Sequence, residues 1–215
     1  MVILGLTGSI GMGKTTAANM LRRMGIPVCD SDAVVHVLMA KGGAAVGLVG
    51  EAFPGVVTDG AVDRAALGKR VFGNPDALHR LEGILHPLVY EAQRRFLRQA
   101  AMRGERLAVL DIPLLFEGGS DQWCDAIVVV SAPAFLQAQR VMARPGMTAE
   151  RLAATLARQM SDAEKRRRAD FVVPTGLGRR LTLNRLREIV TLLRARRGTK
   201  WPNAVLGPRK PAGKA

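Results

Sequence analysis

A glycine-rich octapeptide near the N-terminus constrains the fold of this chain more than any other feature. It reads Gly8-Ser9-Ile10-Gly11-Met12-Gly13-Lys14-Thr15 and matches the phosphate-binding pattern G-x-x-x-x-G-K-[ST]. An apolar run of strand length, residues 2–6, precedes it, and good helix formers follow over residues 16–23. The sequence therefore predicts a buried strand, a glycine-rich turn and a helix, in that order.

The residue types in this octapeptide suit the phosphates of ATP or GTP. Glycines allow backbone angles closed to other residues, so the N–H groups of the loop and of the helix N-terminus can point at phosphate oxygens. Lys14 adds a charge for the β- and γ-phosphates, and the Thr15 hydroxyl is suited to Mg²⁺. The residues predicted to bind phosphate are Gly8, Gly11, Met12, Gly13, Lys14, Thr15 and Thr16. A glycine-rich turn with a solvated lysine is the alternative, which the flanking strand and helix disfavour.

Four further apolar runs predict the remaining strands of an α/β fold, because they alternate with helical segments. These strands are expected at residues 26–29, 106–111, 126–130 and 171–173. The sequence therefore predicts a five-stranded parallel sheet flanked by helices. Asp111 closes the third strand, and an aspartate in this place supports Mg²⁺ in phosphate-loop enzymes.

Two acidic residues, Asp30 and Asp32, follow the second predicted strand. Residues two apart in an extended segment face the same way, so both carboxylates are expected at the carboxyl edge of the sheet, where ligands of α/β proteins bind. The alternative is that Ser31 or Asp32 caps the following helix. The sequence leaves these two interpretations equally supported.

Residues 43–104 carry no convincing strand and predict a helical insertion. Its helices are expected at residues 44–53, 63–72 and 76–103, separated by glycine and proline turn signals. Within the last helix, Pro87 biases the preceding residue away from helical angles, so a break is expected at His86. His86 would then be available to a ligand, although a local hydrogen-bonding role is the alternative.

Two helices joined by a tight turn are predicted after the fourth strand, at residues 133–144 and from Thr148 to about residue 160. Arg140 and Arg144 would lie on one face near the turn, as in the lid that closes over ATP in small kinases. Interaction with the helix macrodipole is the alternative role for these arginines. Gln159 is expected to face the phosphates of ATP. The basic run 165–168 is predicted to be a solvated helix end.

The composition narrows the class of protein. The net charge is +14, but seven basic residues and no acidic ones lie between Arg194 and the C-terminus, so residues 198–215 are expected to form a disordered basic tail. Cys29 and Cys124 stand apart from any metal-binding cluster. No run is long enough to span a membrane, and no basic segment precedes the apolar start. We therefore expect a cytoplasmic protein without a membrane partner.

Several function classes contain a phosphate-binding loop: GTPases, motor or AAA-type ATPases, kinases of small metabolites and regulatory nucleotide-binding modules. A GTPase is disfavoured because Ser131-Ala132-Pro133 stands where a guanine-reading N/T-K-x-D segment is expected. A helical insertion and a helical lid fit a kinase of a small metabolite, including nucleoside- and nucleotide-type kinases. A non-catalytic nucleotide-binding module whose basic tail binds nucleic acid is a further class, but nucleic acid is not expected as a partner.

Five segments together resemble the dephospho-CoA kinase family. They are Leu6-Thr7-Gly8-Ser9-Ile10-Gly11-Met12-Gly13-Lys14-Thr15-Thr16, Gly25-Ile26-Pro27-Val28-Cys29-Asp30-Ser31-Asp32, Leu85-His86-Pro87-Leu88, Asp111-Ile112-Pro113-Leu114-Leu115-Phe116-Glu117 and Ala169-Asp170-Phe171-Val172-Val173. Their order and spacing match the family over about residues 1–195.

The resemblance implies a P-loop NTPase fold and transfer of the γ-phosphoryl group of ATP to the ribose 3′-hydroxyl of dephospho-CoA, with Mg²⁺ as cofactor. It implies a kinase domain over residues 1–197, with an acceptor-binding insert at about 33–104 and a lid at about 140–165. Asp32 would orient or deprotonate the 3′-hydroxyl, His86 would contact the acceptor, and Arg140 with Arg144 would contact phosphate. A monomer or weak homo-oligomer is expected.

Two departures from the family pattern accompany this resemblance. Met12 stands where a small residue is common, which predicts a different outer wall of the loop. Pro174-Thr175-Gly176 replaces the usual Asn-x-Gly, which leaves the contacts to adenine undefined.

Overall fold

The computed structural model describes residues 1–202. These form two compact units, one built from residues 1–29 with the chain from Leu97 onward, and the other from residues 30–96. The strands are β1 (Val2–Thr7), β2 (Val28–Asp30), β3 (Val57–Thr58), β4 (Ala61–Val62), β5 (Leu107–Asp111), β6 (Ala126–Ser131) and β7 (Phe171–Pro174). The helices are α1 (Lys14–Arg23), α2 (Ser31–Met39), α3 (Val46–Ala52), α4 (Arg64–Val71), α5 (Pro75–Met102), α6 (Ala134–Met142), α7 (Ala149–Ala157), α8 (Asp162–Arg168) and α9 (Arg179–Arg194).

A five-stranded sheet in the order β2-β5-β1-β6-β7 organises the first unit. Strand β1 lies between β5 and β6 and runs parallel to both, with Leu4 opposite Val109 and Ala126. Strand β7 extends the sheet as the parallel neighbour of β6. The prediction of a five-stranded parallel α/β sheet is therefore confirmed, with each strand within two residues of its expected bounds.

The core of this unit lies where helices cover the sheet. Strand residues such as Leu4, Val109 and Val128 are fully buried and pack with Leu21 of α1 and Leu186 of α9. Continuous apolar strands of this kind are stable when helices cover both faces of a parallel sheet, because neither face then meets water. The core thus holds α1, which follows β1 after the loop of residues 8–13, through its buried residues Ala17, Ala18 and Leu21.

The second unit has its own apolar core around Val49, Phe53 and Leu85. It contains a two-stranded antiparallel hairpin, β3 and β4, so the prediction of no strand in this segment was wrong. Asp59 and Gly60 at the turn both have positive φ angles, of 51° and 78°. An Asp-Gly pair of this kind is a strong hairpin signal, but the two-residue strands are too short to show alternation.

Helix α5 continues through Pro87, so the predicted break at His86 is also wrong. Proline inside a helix removes one hydrogen bond and costs about 3 kcal/mol. Leu81 and Leu85 before Pro87 and Val89 after it are all buried. Packing of the apolar face on both sides of Pro87 outweighs its local preference.

The chain end and the cysteines add two observations. The N–H groups of Thr199 and Lys200 both donate to Oδ1 of Asp125, at 2.6 and 3.0 Å, so the segment predicted as tail begins with residues held against the first unit. The rest of that prediction, from residue 203, lies outside the described residues. Cys29 and Cys124 are both buried thiols rather than a disulfide, and burial with Asp121 and Asp125 nearby raises the pKa of the Cys124 thiol far above its ordinary value. Within residues 1–202, no helix is both long and apolar enough to cross a membrane.

Candidate active site

The phosphate-binding loop connects β1 to α1 and depends on its glycines for its shape. Gly11 and Gly13 have φ angles of 77° and 87°, in the left-handed region that other residues adopt only with strain. At Gly8 an added Cβ would lie 2.8 Å from the backbone oxygen of Val130. The loop therefore needs glycine at all three places, twice for backbone angle and once for close packing on β6.

Backbone N–H groups line this loop without protein partners. Helix α1 has no side-chain cap, and within residues 1–202 no hydrogen bond is donated by the backbone N–H of Gly11, Gly13, Lys14, Thr15 or Thr16. Groups of this kind at a helix N-terminus carry partial positive charge and attract anions. The arrangement is that of a phosphate cradle, as the motif predicts.

Lys14 and Asp111 form an ion pair at this loop. Lys14 Nζ lies 2.7 Å from Asp111 Oδ1, and the Asp111 side chain is only 1% exposed. Lys14 begins α1 and Asp111 ends β5, so two predicted site residues from distant parts of the sequence are brought together. Lys14 and Asp111 each neutralise the other's charge at a site where the sequence predicts phosphate and Mg²⁺.

The Met12 side chain points away from the loop and into the core. It is 2% exposed, and its sulfur accepts the N–H of Ala132 at 3.1 Å. The expectation that Met12 alters the outer wall of the loop is therefore wrong, because its side chain packs with the sheet and helices instead.

Arg140 and Thr175 brace the loop from the side. Arg140 donates to the backbone oxygen of Thr175 at 2.8 Å, to its Oγ1 at 3.2 Å, and to the backbone oxygen of Gly11 at 3.4 Å. Thr175 Oγ1 in turn lies 2.7 Å from the backbone oxygen of Met12, to which it donates. Thr175 was noticed in the sequence only as a departure from a pattern, and the structure gives it contacts to both the loop and Arg140.

Two glutamines bind both backbone groups of Ile10. Gln137 Nε2 donates to the Ile10 oxygen at 2.8 Å, and Gln159 Oε1 accepts the Ile10 N–H at 3.1 Å. Sequence reasoning placed Gln159 near the phosphates and missed Gln137, which is an ordinary helix residue by sequence. The loop is thus fixed by α6 on one side and by the segment after α7 on the other.

Arg144 lies two residues beyond the end of α6, so its predicted place on a shared helix face with Arg140 does not hold. Its side chain is exposed and makes no hydrogen bond or ion pair within the described part of the chain. Thr148 caps α7 as predicted, by accepting the N–H of Arg151 at 3.3 Å. Helix α7 itself contains no buried residue.

The acidic pair at the start of α2 differs from the prediction. Asp30 ends β2 and caps α2, accepting the N–H groups of Asp32 and Ala33 at 3.0 and 3.1 Å. Asp32 lies in the first helical turn, so the two aspartates are not an extended pair, and neither Ser31 nor Asp32 is the cap. The Asp32 side chain is exposed and forms no hydrogen bond or ion pair with residues 1–202.

His86 is an exposed residue in the middle of α5. Its ring lies 5.9 Å from that of Tyr90 one turn later, centroid to centroid. Burial raises the pKa of the Tyr90 hydroxyl. Both residues belong to the second unit and present polar groups along one face of α5.

Comparison with known proteins identifies the family. The family model for dephospho-CoA kinase matches residues 2–176. The dephospho-CoA kinase of Paramagnetospirillum magneticum is 63% identical over 92% of this chain and 93% of its own length, and that of Rhodospirillum rubrum is 56% identical over 90% and 92%. The solved structure of TT1252 from Thermus thermophilus is 36% identical, with a TM-score of 0.74 over 89% of this chain and 96% of that one.

A more distant structural neighbour supports the fold alone. The dephospho-CoA kinase from Campylobacter jejuni has a TM-score of 0.62 at 20% identity, over 89% of this chain and 96% of that one. The phosphate-binding loop, the parallel sheet and the family match over residues 2–176 agree with each other. The chain therefore belongs to the dephospho-CoA kinase family.

Proposed function

We propose that this protein transfers the γ-phosphoryl group of ATP to the ribose 3′-hydroxyl of dephospho-CoA, which gives coenzyme A. The observation that carries the proposal is the cradle of unpaired N–H groups beside Lys14 in a chain of this family. Phosphoryl transfer requires positioning and charge stabilisation more than covalent chemistry from the protein. A cradle of fixed donors supplies both without reorganisation during the reaction.

Lys14 is proposed to contact the β- and γ-phosphates. In the structure its ammonium group is paired with Asp111 at 2.7 Å, so its charge is held at the loop. A triphosphate in the cradle would offer Lys14 a second set of negative oxygens. Its charge would then offset the negative charge on the oxygens of the transferred group.

The residues fit a magnesium ion by the chemistry of their donor atoms. Mg²⁺ prefers hard oxygen ligands and keeps several waters, so one or two protein oxygens with the phosphates suffice. The Thr15 hydroxyl and the Asp111 carboxylate are such oxygens, and the rest of residues 1–202 contains no cluster of three or more metal-binding side chains. When bound, the ion would neutralise charge on the β- and γ-phosphates.

Asp32 is proposed to orient and deprotonate the acceptor hydroxyl. Asp30 performs the capping of α2, so the Asp32 carboxylate is not required for helix structure. An exposed carboxylate without a protein partner can accept a hydrogen bond from a ligand hydroxyl and take its proton. This role rests on the family resemblance together with that local geometry.

Arg140 and Arg144 are proposed to act on the phosphates from the lid, and His86 to contact the acceptor. Arg140 is already fixed beside the loop through Thr175, whereas Arg144 is exposed and unbonded within the described residues. A phosphate contact by Arg144 would therefore break no bond within residues 1–202. A cytoplasmic location and a monomeric or weakly associating state are part of the same proposal.

The test is product analysis with purified protein, MgATP and one acceptor at a time. We expect dephospho-CoA to gain one phosphoryl group by mass spectrometry and a 3′-phosphomonoester by phosphorus NMR, whereas adenosine, uridine and AMP remain unchanged. Faster transfer to one of those acceptors would instead indicate another small-metabolite kinase. Absence of any transfer, together with salt-sensitive binding of nucleic acid, would favour the non-catalytic module.

A further inference from the structure

Helix α7 and the segment that follows it are attached to the first unit very differently. The side-chain hydrogen bonds of α7 are local. Arg151 donates its backbone N–H to Thr148 Oγ1 and its guanidinium to the backbone oxygen of Gly146, and the Thr155 hydroxyl donates to the backbone oxygen of Arg151. No residue of α7 is buried. Apart from its contact with α6, a helix with these properties has little to hold it in one place.

From residue 159 onward the chain is bound firmly. Gln159 accepts the Ile10 N–H of the phosphate-binding loop, and the Met160 N–H donates to Glu117 Oε1 at 2.8 Å. Asp162 accepts the hydroxyl of Ser131, at the end of β6, at 2.8 Å. We call residues 159–165 the lid root, because they join the lid to the sheet and the loop.

An ion pair joins the last residue of the lid root, Lys165, to Glu117. Lys165 Nζ is 2.9 Å from Glu117 Oε1, and the Lys165 side chain is 0% exposed while that of Glu117 is 20% exposed. The prediction of a solvated basic run therefore fails for Lys165, although Arg166, Arg167 and Arg168 are exposed. Burying a lysine is costly, and apolar residues of similar size would often stabilise a protein as well or better.

The ion pair also reaches the segment after β5 and the start of the loop. Lys165 Nζ lies 3.4 Å from the backbone oxygen of Pro113, which also accepts the hydroxyl of Thr7 at 2.9 Å. Thr7 precedes Gly8, and Pro113 follows Asp111 by two residues. One buried ammonium group thus touches the segment that carries Asp111, while its partner Glu117 holds the backbone beside Gln159.

We propose that Glu117 and Lys165 are positioning residues for phosphoryl transfer: they fix the lid root so that Gln159 stays on Ile10 and the lid moves about a hinge at residues 157–158. Neither residue needs to touch a substrate for this role. The inference rests on the proposed function for its effect on turnover, but its structural part concerns the first unit alone.

The experiment compares three variants of the full chain with wild type. Glu117→Gln leaves the buried ammonium group of Lys165 without its charged partner, and Lys165→Met leaves the partly exposed carboxylate of Glu117 without its own. Both variants are expected to lower the melting temperature and turnover. The double variant Glu117→Gln with Lys165→Met has no unpaired charge and is expected to regain stability. Its turnover should stay about 10–100-fold below wild type with a KM for ATP within about twofold, because a displaced root misplaces the lid. Glu164→Gln is the matched control, since its ion pair with Arg168 lies on the exposed face of the same helix.

Hydrogen exchange provides a readout that does not depend on catalysis. In wild type we expect peptides covering residues 159–165 to be protected and those covering 149–157 to exchange fast. Protection of the lid root should fall at least about tenfold in the double variant and remain in Glu164→Gln.

Two results would overturn the inference. One is recovery of turnover to wild type in the double variant, which would make the pair a stabilising contact only. The other is unchanged protection of residues 159–165 in that variant. If wild type itself transferred no phosphoryl group to dephospho-CoA, the proposed function would fail, and the exchange measurements alone would still decide the inference.

Discussion

The phosphate-binding loop and the start of α2 are built in opposite ways. Within the loop, side chains donate hydrogen bonds to three consecutive backbone oxygens: Gln137 binds that of Ile10, Arg140 that of Gly11 and Thr175 that of Met12. At the start of α2, Asp30 alone completes the helix, and the carboxylate of Asp32 is exposed without a partner among residues 1–202.

This difference separates structural from chemical roles. A substitution in the loop or its braces changes contacts that the folded state uses as well as groups proposed for catalysis. A substitution at Asp32 changes a carboxylate that the described structure does not use. Loss of stability should therefore accompany loss of turnover in the first region and be absent in the second.

The largest combined effect is expected for Lys14→Ala. Turnover should fall about 10²–10³-fold, because a fixed charge is lost from the γ-phosphate. The free energy of unfolding should also fall, by about 1–3 kcal/mol, since the buried carboxylate of Asp111 loses its ammonium partner. Steady-state kinetics and urea unfolding measure the two effects, with the exposed Lys69→Ala as the control. Wild-type stability in Lys14→Ala would show that the ion pair contributes nothing to the fold.

A smaller effect is expected for Arg140→Ala, which removes the brace between the loop and Thr175. Turnover should fall about 10–100-fold through misplacement of the cradle, with a modest fall in melting temperature. Thr175→Val leaves Arg140 its backbone acceptor and should lose less. Equal losses of turnover and of ATP affinity in Arg140→Ala would instead make this arginine a ground-state contact. Arg187→Ala, which removes an exposed arginine of α9, is the control for loss of surface charge.

The smallest effect is expected from the chain end. Truncation after Arg197 removes Thr199 and Lys200, whose N–H groups bind Asp125, so it should lower the free energy of unfolding by about 1 kcal/mol. Turnover and the KM for dephospho-CoA should not change, because Asp125 lies outside the proposed site. Truncation after Pro202 retains both contacts and should match wild type in stability. A large rise in the KM for dephospho-CoA in either variant would show that basic residues at the chain end recruit the anionic acceptor.

The sequence predicted features whose signals are local. The loop, the five strands and the Thr148 cap each follow from neighbouring residues, through glycine spacing, apolar runs and side-chain capping. The position of Asp111 at a strand end was also visible. Its ion pair with Lys14 was not, because it joins residues that are far apart in the sequence.

At Pro87 and Lys165 the prediction failed because tertiary packing decided against a local preference. Pro87 continues α5 because buried Leu81 and Leu85 before it and buried Val89 after it hold the helix on both sides. Lys165 is buried because Glu117 meets it, although its basic neighbours predicted a solvated run. Asp30 rather than Ser31 or Asp32 caps α2, since the strand ends one residue later than expected.

The most direct test of the difference between the phosphate-binding loop and the start of α2 is Asp32→Asn, with ATP affinity and melting temperature recorded on the same preparation. The account predicts that kcat for phosphorylation of dephospho-CoA falls about 10²–10⁴-fold, because an amide cannot accept the hydroxyl proton. Melting temperature and ATP affinity should match wild type, as in Asp76→Asn, which alters another exposed aspartate in the first turn of a helix. A variant that keeps more than about a tenth of wild-type kcat would contradict the role of Asp32 as general base.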